Sequence, residues 1–261
     1  MILFVCFFFP SFQSEHKAIS SQPLYEAFQE SFDIHNFKAF NFADSFKTWE
    51  QQEGFPVIHV HYNDTLKSFQ ITQNRFMEQS INSAKSSWHI PLNYATADSR
   101  NFENTTITDY FTTLDVIKSI PTMSNFDASK WYIFNKQQLS FYRVNYDFAN
   151  WHMLLVTLNS DNYKDIHVLN RAQIMSDVLA FGTSGLIDYE LTIGMLGYLE
   201  NETDYIPWAS VGDFLNMLDN LFGGQNIVLN VICKYFNDYF CFKLFVLILE
   251  ICWKIGGQNV Q

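Results

Sequence analysis

Two different spacings of hydrophobic residues divide the chain near Tyr146. Upstream of this point, short runs of apolar residues alternate with polar ones, as where Ile58, Val60 and Tyr62 are separated by histidines. This alternation is typical of β-strands with one buried face, and the intervening stretches of Asn, Ser, Thr and Asp indicate turns. The pattern predicts a small antiparallel β-sandwich, in which Pro91 marks an edge strand because proline cannot donate to a ladder.

Downstream, apolar residues recur every three or four positions, as they do on one face of an α-helix. The first stripe predicts a helix that Asp161 caps and Gly182 ends. It consists of Ile166, Leu169, Ala172, Met175 and Leu179. The same spacing predicts a second helix over Asp188–Leu199 and a third that begins at Pro207. Helices of this length with short links are typical of a stacked helical array.

Both ends of the chain are rich in phenylalanine and together contain all four cysteines. The irregular cysteine spacing matches no zinc-binding pattern, and the middle of the chain, which has none, is predicted to lack disulfides. Residues 2–9 form an apolar run too short to span a bilayer. It has the length of a signal-peptide core but no basic flank, so a secretory signal and a misplaced start of the reading frame both stay open.

The carboxyl-terminal tail contains the apolar segment Tyr239–Trp253, which carries Lys243 and Glu250. Because this segment is short and charges in a bilayer are costly, it is predicted as a buried or irregular helix rather than a membrane span. The tetrapeptide GGQN at 223–226 recurs at 256–259. One hypothesis is a translated intron between two copies of a junction, which an alignment of transcript to genome would exclude by placing the segment within an ordinary exon.

Charge and composition narrow the classes of function. The chain has 16 basic and 27 acidic side chains, a formal net charge of −11. This balance argues against a nucleic-acid partner and against adhesion to an anionic membrane surface, both of which need surplus Lys and Arg. Three N-x-S/T sequons, at Asn63, Asn104 and Asn201, are predicted N-glycosylation sites and favour an origin in the secretory pathway.

The histidine pair and the charged clusters give only weak evidence of a metal-binding or catalytic role. His59 and His61 lie on one face of a predicted strand, about 7 Å apart, but a metal would need a third ligand from elsewhere. A solvent-facing pair is therefore the preferred interpretation. Arg171, beside the stripe of the first helix, either faces a peptide cavity or pairs with a neighbouring helix, and the structural role is preferred. An acidic group after the second helix, which includes Glu202 and Asp204, is predicted to form a solvated turn.

Several motifs occur in an order and spacing that resemble one family. They are WEQQEGFPV (49–57), ITQNRF (71–76), WHIPLNYAT (88–96), WYIFNKQQLSFYRVNYD (131–147), IHVLNRAQIMSDVL (166–179) and YLENETDYIPWAS (198–210). The chain is similar to the carboxyl half of zinc aminopeptidases of the aminopeptidase N and endoplasmic reticulum aminopeptidase family. One departure is Ser140, where members usually have glycine before the FYRVNYD strand, which is expected to alter a tight turn.

The resemblance implies a fold and a division of the chain. It predicts α and β segments in separate domains: a β-sandwich followed by a helical superhelical array that stops early. The five predicted segments are 1–20, an apolar N-terminal segment; 21–56, the end of a catalytic domain with a short helical region; 57–146, the β-sandwich; 147–222, the start of the helical domain; and 223–261, a divergent tail rich in Phe and Cys.

The resemblance also implies a function for the parent enzyme. Family members use zinc to remove N-terminal residues from peptides, and the parent is expected at the plasma membrane or outside the cell. The sequence contains neither His-Glu-x-x-His nor Gly-Ala-Met-Glu-Asn, so no catalytic, cofactor or metal residue is assigned. The chain is predicted to be a fragment, inactive alone, that shapes the peptide-access cavity and contacts a catalytic domain. The alternative is a stand-alone interaction module that binds a partner or a full-length relative.

Overall fold

A computed structural model describes residues 21–34, 41–76, 86–122 and 126–221. The predictions for the N-terminal apolar segment, the tail and its repeated GGQN lie outside these residues. The chain divides between Glu53 and Gly54 into two compact units. Mixed α and β structure, as expected, is confirmed, whereas the five segment boundaries stay predictions.

Where the first unit is described, it contains two helices, α1 (Ser21–Ile34) and α2 (Phe42–Glu50). Helix α2 begins at Asn41, whose side chain accepts a hydrogen bond from the amide of Asp44 at 3.0 Å. The ring of Phe42 stacks on Phe28, with centroids 4.8 Å apart. Aromatic packing and one cap therefore define this short helical region.

The described part of the second unit begins with eight strands. They are β1 (Pro56–Asn63), β2 (Ser68–Arg75), β3 (Ile90–Leu92), β4 (Tyr94–Thr96), β5 (Asp109–Phe111), β6 (Lys118–Pro121), β7 (Tyr132–Phe134) and β8 (Arg143–Tyr146). One four-stranded sheet has the order β6-β2-β1-β8, and β3-β5 and β4-β7 form two-stranded sheets. Within the described residues β3 pairs with β5 alone, so Pro91 lies on an edge strand as predicted.

One strand pairing differs from the antiparallel arrangement that the alternation predicted. Strand β8 runs parallel to β1, with Val57 opposite Arg143. A parallel pair needs a long crossover between its strands, and here all the other strands lie between β1 and β8 in the sequence. Short-range alternation fixes the buried face of each strand but does not fix the direction of a partner so far away.

Among the residues described up to 221, four helices follow the strands. They are α3 (Phe148–Leu158), α4 (Val168–Thr183), α5 (Tyr189–Leu196) and α6 (Tyr205–Leu221), with short 3₁₀ turns at Lys136–Gln138, Tyr163–Asp165 and Gly197–Glu200. Helix α3 was not predicted. It begins where Asp147 accepts a hydrogen bond from the amide of Asn150 at 2.8 Å. The predicted end of the second helix at Leu199 is instead a 3₁₀ turn.

The ends of helix α4 differ from their prediction. His167, rather than Asp161, caps its start and accepts from the amide of Leu169 at 3.2 Å. The helix ends at Thr183 with Ser184 as its cap, and the left-handed glycine that follows it is Gly185, with φ +72°, rather than Gly182. Gly182 lies inside the helix, where a Cβ atom would approach Thr192 Oγ1 to 2.4 Å. This glycine therefore permits close packing of α5 on α4 instead of ending α4.

Strands and helices share one packed interior in the second unit. Phe181 of α4 contacts Trp151 of α3 and Phe76 beside strand β2, with ring centroids 6.5 and 6.0 Å apart. Helix α4 also buries four polar residues besides its apolar ones: Asn170, Arg171, Gln173 and Asp177. Because buried polar groups are costly unless they are hydrogen-bonded, the partners of these four side chains define the candidate functional site.

Candidate functional site

A turn with an unusual backbone lies against the amino-terminal half of α4. Three of its residues have left-handed φ angles without being glycine: Asn135 at 62°, Gln137 at 54° and Gln138 at 52°. Such conformations cost on the order of 1 kcal/mol each and persist only where the surroundings fix them. Here the side chain of Asn170 accepts from the amide of Gln137 at 2.8 Å and donates to the carbonyl of Asn135 at 3.0 Å.

Ser140 does not carry the strain of this turn. Its φ is not in the left-handed region, which within this turn is occupied by residues 135, 137 and 138. The side chain of Asn135 accepts from the amide of Ser140 at 3.0 Å and donates to its carbonyl at 2.8 Å. The backbone of Ser140, where the resemblance predicted glycine, is thus held on both sides by the Asn135 side chain.

Lys136 is buried in the same turn, with 5% of its surface exposed. Its Nζ donates to the backbone carbonyls of Asn101 and Asn104. Burial removes water from the Lys136 ammonium and so lowers its pKa. Within the described residues, no carboxylate forms an ion pair with this lysine. This lysine ties the turn to the loop that carries the Asn104 sequon.

A cleft of about 390 Å³ opens between this turn and helix α4. Its lining is mixed, with a charged pair at the floor. Phe55, Leu139 and Phe141 are its apolar members, and the floor includes Arg143, Gln173 and Asp177. Phe141 is 72% exposed, and Leu139 is 48% exposed, so the cleft has an accessible apolar rim.

Arg143 and Asp177 form the charged pair at the floor. Nη1 of Arg143 lies 2.8 Å from the carboxylate of Asp177, which also accepts from the amide of Val144 at 3.0 Å. Burial raises the pKa of Asp177 to about 6, against the lowering effects of the Arg143 charge and the Val144 amide. The carboxylate therefore connects helix α4 to strand β8 at a cost in desolvation.

The guanidinium of Arg143 is only partly used by this pair. Its hydrogen bonds in the described part of the chain, to Ser176 and Asp177, all come from Nη1. Nε is buried without a hydrogen-bond partner. The group lies 5.0 Å from the ring centroid of Phe76 and 5.9 Å from that of Phe55, which holds its plane by cation–π contact.

Arg171, a predicted site residue, is enclosed in a second network. It is 3% exposed, and its Nε and Nη2 bind Glu202 at 2.7 and 3.2 Å. Nη2 also contacts Asp204 at 2.6 Å, and Nη1 donates to the carbonyl of Ile166 at 2.7 Å. The arginine thus pairs with carboxylates of the turn after α5 and contacts a carbonyl just before its own helix, which is a structural role of the kind preferred. Contact with a peptide stays a prediction.

The acidic turn after α5 is not wholly solvated, contrary to its prediction. Glu202 is fully buried, whereas Asp204 retains 52% exposure of its side chain. Burial alone would raise the pKa of Glu202, but Arg171 and the amides of Thr203 and Asp204 outweigh it and lower the pKa. One carboxylate of this acidic turn, that of Glu202, is therefore part of the interior.

The three sequon asparagines lie at different depths. Asn104 and Asn201 are exposed, and Asn63 is half-buried. The Asn63 side chain accepts from the amide of Leu66 at 3.0 Å, and that of Asn104 accepts from Thr106 at 3.0 Å. N-glycosylation at these three positions stays a prediction, for which the exposed pair offers the better access.

The histidine pair does not form a metal centre with the residues described. His61 is exposed, whereas His59 is half-buried between Asn145 and Asn74, whose side chains lie 3.3 and 3.5 Å from its ring nitrogens. Burial lowers the pKa of His59. Across the described ranges, no three His, Cys, Asp or Glu side chains converge as metal ligands. Likewise, no helix within them has the length and apolarity to cross a bilayer.

Sequence reasoning missed Arg143 and Asp177 as site residues. A polar stripe did carry a signal, since Asn170, Gln173 and Asp177 are spaced three and four apart on one face of α4. Asn170 bonds to the strained turn, Gln173 donates to the carbonyl of Phe134 in strand β7, and Asp177 bonds to strand β8. The stripe was overlooked because the apolar stripe of the same helix explained its burial.

Comparisons with known proteins place these elements in context. A family model described as ERAP1-like C-terminal domain matches residues 131–241. Aminopeptidase N of Plutella xylostella is 35% identical over 216 residues, which are 81% of this chain and 22% of that protein. Membrane alanyl aminopeptidase of Heliothis virescens is 33% identical over 187 residues, 71% of this chain and 18% of the relative.

A vertebrate relative is more distant. Glutamyl aminopeptidase of Bos taurus is 28% identical over 198 residues, 73% of this chain and 19% of that protein. The chain spans about a fifth of the length of these relatives. The matches confirm the resemblance that the sequence motifs indicated.

Proposed function

The chain is a relative of aminopeptidase N and glutamyl aminopeptidase that carries an ERAP1-like C-terminal domain, and from this we propose that it forms a non-catalytic part of a zinc-dependent aminopeptidase. In that enzyme, which removes N-terminal residues from peptides, it shapes the cavity through which peptides reach the zinc. The family match over residues 131–241, which contain helices α3–α6, is the observation that carries this proposal.

The two kinds of structure receive different roles in this proposal. The sheets β1–β8 form a β-sandwich that spaces the domains, and helices α3–α6 begin a superhelical array that covers the active site. Packing of α4 on β8 through Asp177 supports this division, because a rigid joint between sheet and helices keeps the cavity wall in place. The wall then faces a catalytic domain across the cavity.

The zinc of the parent enzyme has no candidate ligand set among the described residues of this chain. A catalytic zinc site needs three protein ligands and an open position. The sequence lacks the His-Glu-x-x-His pair, and within the described ranges His59 and His61 gain no third ligand. We therefore expect the purified chain, with added zinc, to release no more amine from an aminoacyl reporter than a metal-stripped control. Release above that control would contradict a non-catalytic role.

A chimera tests the role in the cavity directly. The segment of Plutella xylostella aminopeptidase N that is 35% identical to this chain would be replaced by the corresponding residues of this chain. The chimera should still hydrolyse a single-residue reporter, since the catalytic domain is unchanged, but its preference among peptides of different length should shift. Unchanged length preference in a chimera that hydrolyses the reporter normally would contradict cavity shaping.

A second candidate function is a stand-alone module that binds a partner or a full-length relative. Large apolar side chains on the surface favour it, since exposed apolar patches mark interaction sites. The most exposed are Leu114 at 91%, Val116 at 85%, Phe148 at 73% and Phe141 at 72%. Size-exclusion chromatography with light scattering distinguishes the two: a monodisperse protein that binds the relative favours the module, and aggregation contradicts it.

The proposal places the parent enzyme at the plasma membrane or outside the cell. Names such as membrane alanyl aminopeptidase among the relatives support this location. A glycoprotein in the secretory pathway would carry glycans at Asn104 and Asn201, whose side chains are exposed. Expression behind a secretory signal should give a product that glycosidase treatment shortens on a gel, and substitution of both asparagines by glutamine should remove that shift.

A further inference from the structure

We propose that a pocket between the start of helix α3 and the turn before α5 binds a basic segment of a partner polypeptide, anchored by one large apolar side chain. The inference uses only the geometry and charge of this pocket and holds whether or not the chain is part of an aminopeptidase. The apolar side chain would enter the pocket, and a neighbouring Lys or Arg of the segment would pair with Asp188 at its mouth.

The pocket can take up one large side chain. Its volume is about 230 Å³, and its inner surface is formed by Tyr146, Trp151 and Leu191, each at most 9% exposed. Phe148, at 73%, and Leu186, at 49%, lie at the mouth. A cavity of roughly 150 Å³ is enough to hold benzene, so this volume accommodates a side chain of the size of Leu or Phe.

The two helices that border the pocket are fixed against each other. A Cβ atom on Gly194 of α5 would lie 3.3 Å from Leu155 of α3, so the helices approach closely at that point. The side chain of Asn159, which follows α3, donates to the carbonyl of Gly194 at 3.3 Å. Because these contacts set the spacing of the helices without a ligand, binding requires little ordering of the protein.

The charge around the pocket selects a cation. Helix α3, the turn between α4 and α5, and helix α5 contain no Lys or Arg, and their one histidine is His152. Asp188 lines the pocket, is exposed and makes no capping hydrogen bond through its side chain. Glu190, in the first turn of α5, is exposed as well. The accessible charge on these elements is therefore negative.

The amino termini of α3 and α5, which both lie at the pocket, do not reverse this sign. Each terminus contributes about half a positive charge. Asp147 at the start of α3, Asp188 and Glu190 each contribute a full negative charge at neutral pH. The negative sum disfavours an anionic membrane surface, and it disfavours a second copy of this chain because the matching face would carry the same charge.

Exposed apolar side chains on the same two helices enlarge the surface that a segment would cover. Tyr189, at 61%, and Ile193, at 52%, are four positions apart on α5 and so share one face. Val156 of α3 is 56% exposed, two turns beyond Phe148. A pocket beside exposed apolar residues and a charged edge is typical of a protein interaction site. An apolar anchor flanked by basic residues matches both features.

Binding of short peptides to the intact chain tests the proposal. The probe is acetyl-Ala-Lys-Phe-Leu-Lys-Ala-amide. One control replaces both Lys by Glu and keeps the apolar pair, and a second replaces Phe and Leu by Ala and keeps the charge. The probe should bind about tenfold or more tightly than either control in a calorimetric titration, and added salt should weaken its binding.

Variants of the chain locate the binding. Asp188→Asn keeps the shape of the residue that begins α5 and should weaken the probe about two- to fivefold, because an exposed ion pair contributes little more than that. Asp161→Asn is the matched control, since it removes the same charge from an exposed residue outside the pocket. Phe148→Ala should weaken the probe about fivefold. Its matched control is Phe141→Ala, because Phe141 is 72% exposed but lies outside this pocket.

Any of five results would overturn the proposal. In the titrations they are equal affinity for the probe and its Glu form, and no saturation by the probe below about 1 mM. Among the variants they are equal effects of Asp188→Asn and Asp161→Asn, or of Phe148→Ala and Phe141→Ala. The fifth is a dimer in analytical ultracentrifugation that Phe148→Ala disrupts, which would make a second copy the occupant. None of these results bears on the length preference of the chimera, so failure of this site and failure of the aminopeptidase role are distinguishable.

Discussion

Two arginines, one in the first turn of helix α4 and one bonded to its middle, use the same chemistry in different ways. Arg171 lies on the helix and is 3% exposed, with every nitrogen of its guanidinium bonded to Glu202, Asp204 or the carbonyl of Ile166. Arg143 reaches the helix from strand β8 and bonds Ser176 and Asp177 through Nη1 alone. The first arginine completes its hydrogen bonds by tertiary contacts, whereas the second leaves its buried Nε without an acceptor among the described residues.

Glu202 should give the largest effect in this comparison. Glu202→Ala leaves Arg171 buried without its main partner, and breaking a buried pair from one side costs about 3–5 kcal/mol. Urea unfolding monitored by tryptophan fluorescence measures this loss. Asp204→Ala is the control, because its carboxylate is 52% exposed and such pairs contribute less than about 1 kcal/mol. Equal losses of unfolding free energy in the two variants would show that Glu202 is not the main partner of Arg171.

Asp177 should give an intermediate effect that depends on pH. Its pKa is about 6 in the folded protein and 3.8 when unfolded, so the folded state binds the proton more tightly. Its contribution to stability therefore rises as pH falls through 6 and is lost as pH rises again. Between pH 7.5 and pH 5 the gain should be about 1 kcal/mol.

Asp177→Asn isolates this contribution, because other groups titrate over the same range. The difference in unfolding free energy between the parent chain and the variant should change by that amount between the two pH values. A difference that is independent of pH would mean that the Arg143 charge holds Asp177 ionised. In that case the charges of Arg143 and Asp177 compensate each other, as those of Arg171 and Glu202 do.

Gln138→Gly should give the smallest effect. Glycine adopts a left-handed φ without steric cost, so the substitution relieves strain and should raise stability by about 0.5 kcal/mol or slightly more. Ser140→Gly is the control, because Ser140 has no left-handed φ to relieve. Thermal unfolding compares the two. Destabilisation by Gln138→Gly beyond that of Ser140→Gly would show that the turn is not strained at Gln138.

Local patterns in the sequence accounted for much of the fold. Alternation placed Ile58 and Val60 on a buried face, and both are at most 1% exposed. Helical spacing located α4 and the start of α5. Helix α3 was missed because its apolar residues are nearly continuous, and a run such as MLLV lacks the polar positions that reveal a period.

The candidate site was less accessible from sequence. Motifs identified the family, and Arg143 lies within one of them, but nothing in its neighbourhood shows which nitrogens are bonded. Glu202 was predicted to be solvated because the residues around it are acidic and polar. Its burial depends on Arg171, which is 31 residues away in the chain.

The sequence by itself determined the resemblance to the family, the change from strands to helices near Tyr146, and the absence of the zinc and exopeptidase motifs. These properties depend on residue identity and on contacts within a few positions. Only the tertiary structure decided that β8 runs parallel to β1, that Glu202 is interior and that Nε of Arg143 has no acceptor among the described residues. Each of these is set by groups far apart in the chain, since burial and hydrogen-bond completion belong to the packed neighbourhood and not to the residue.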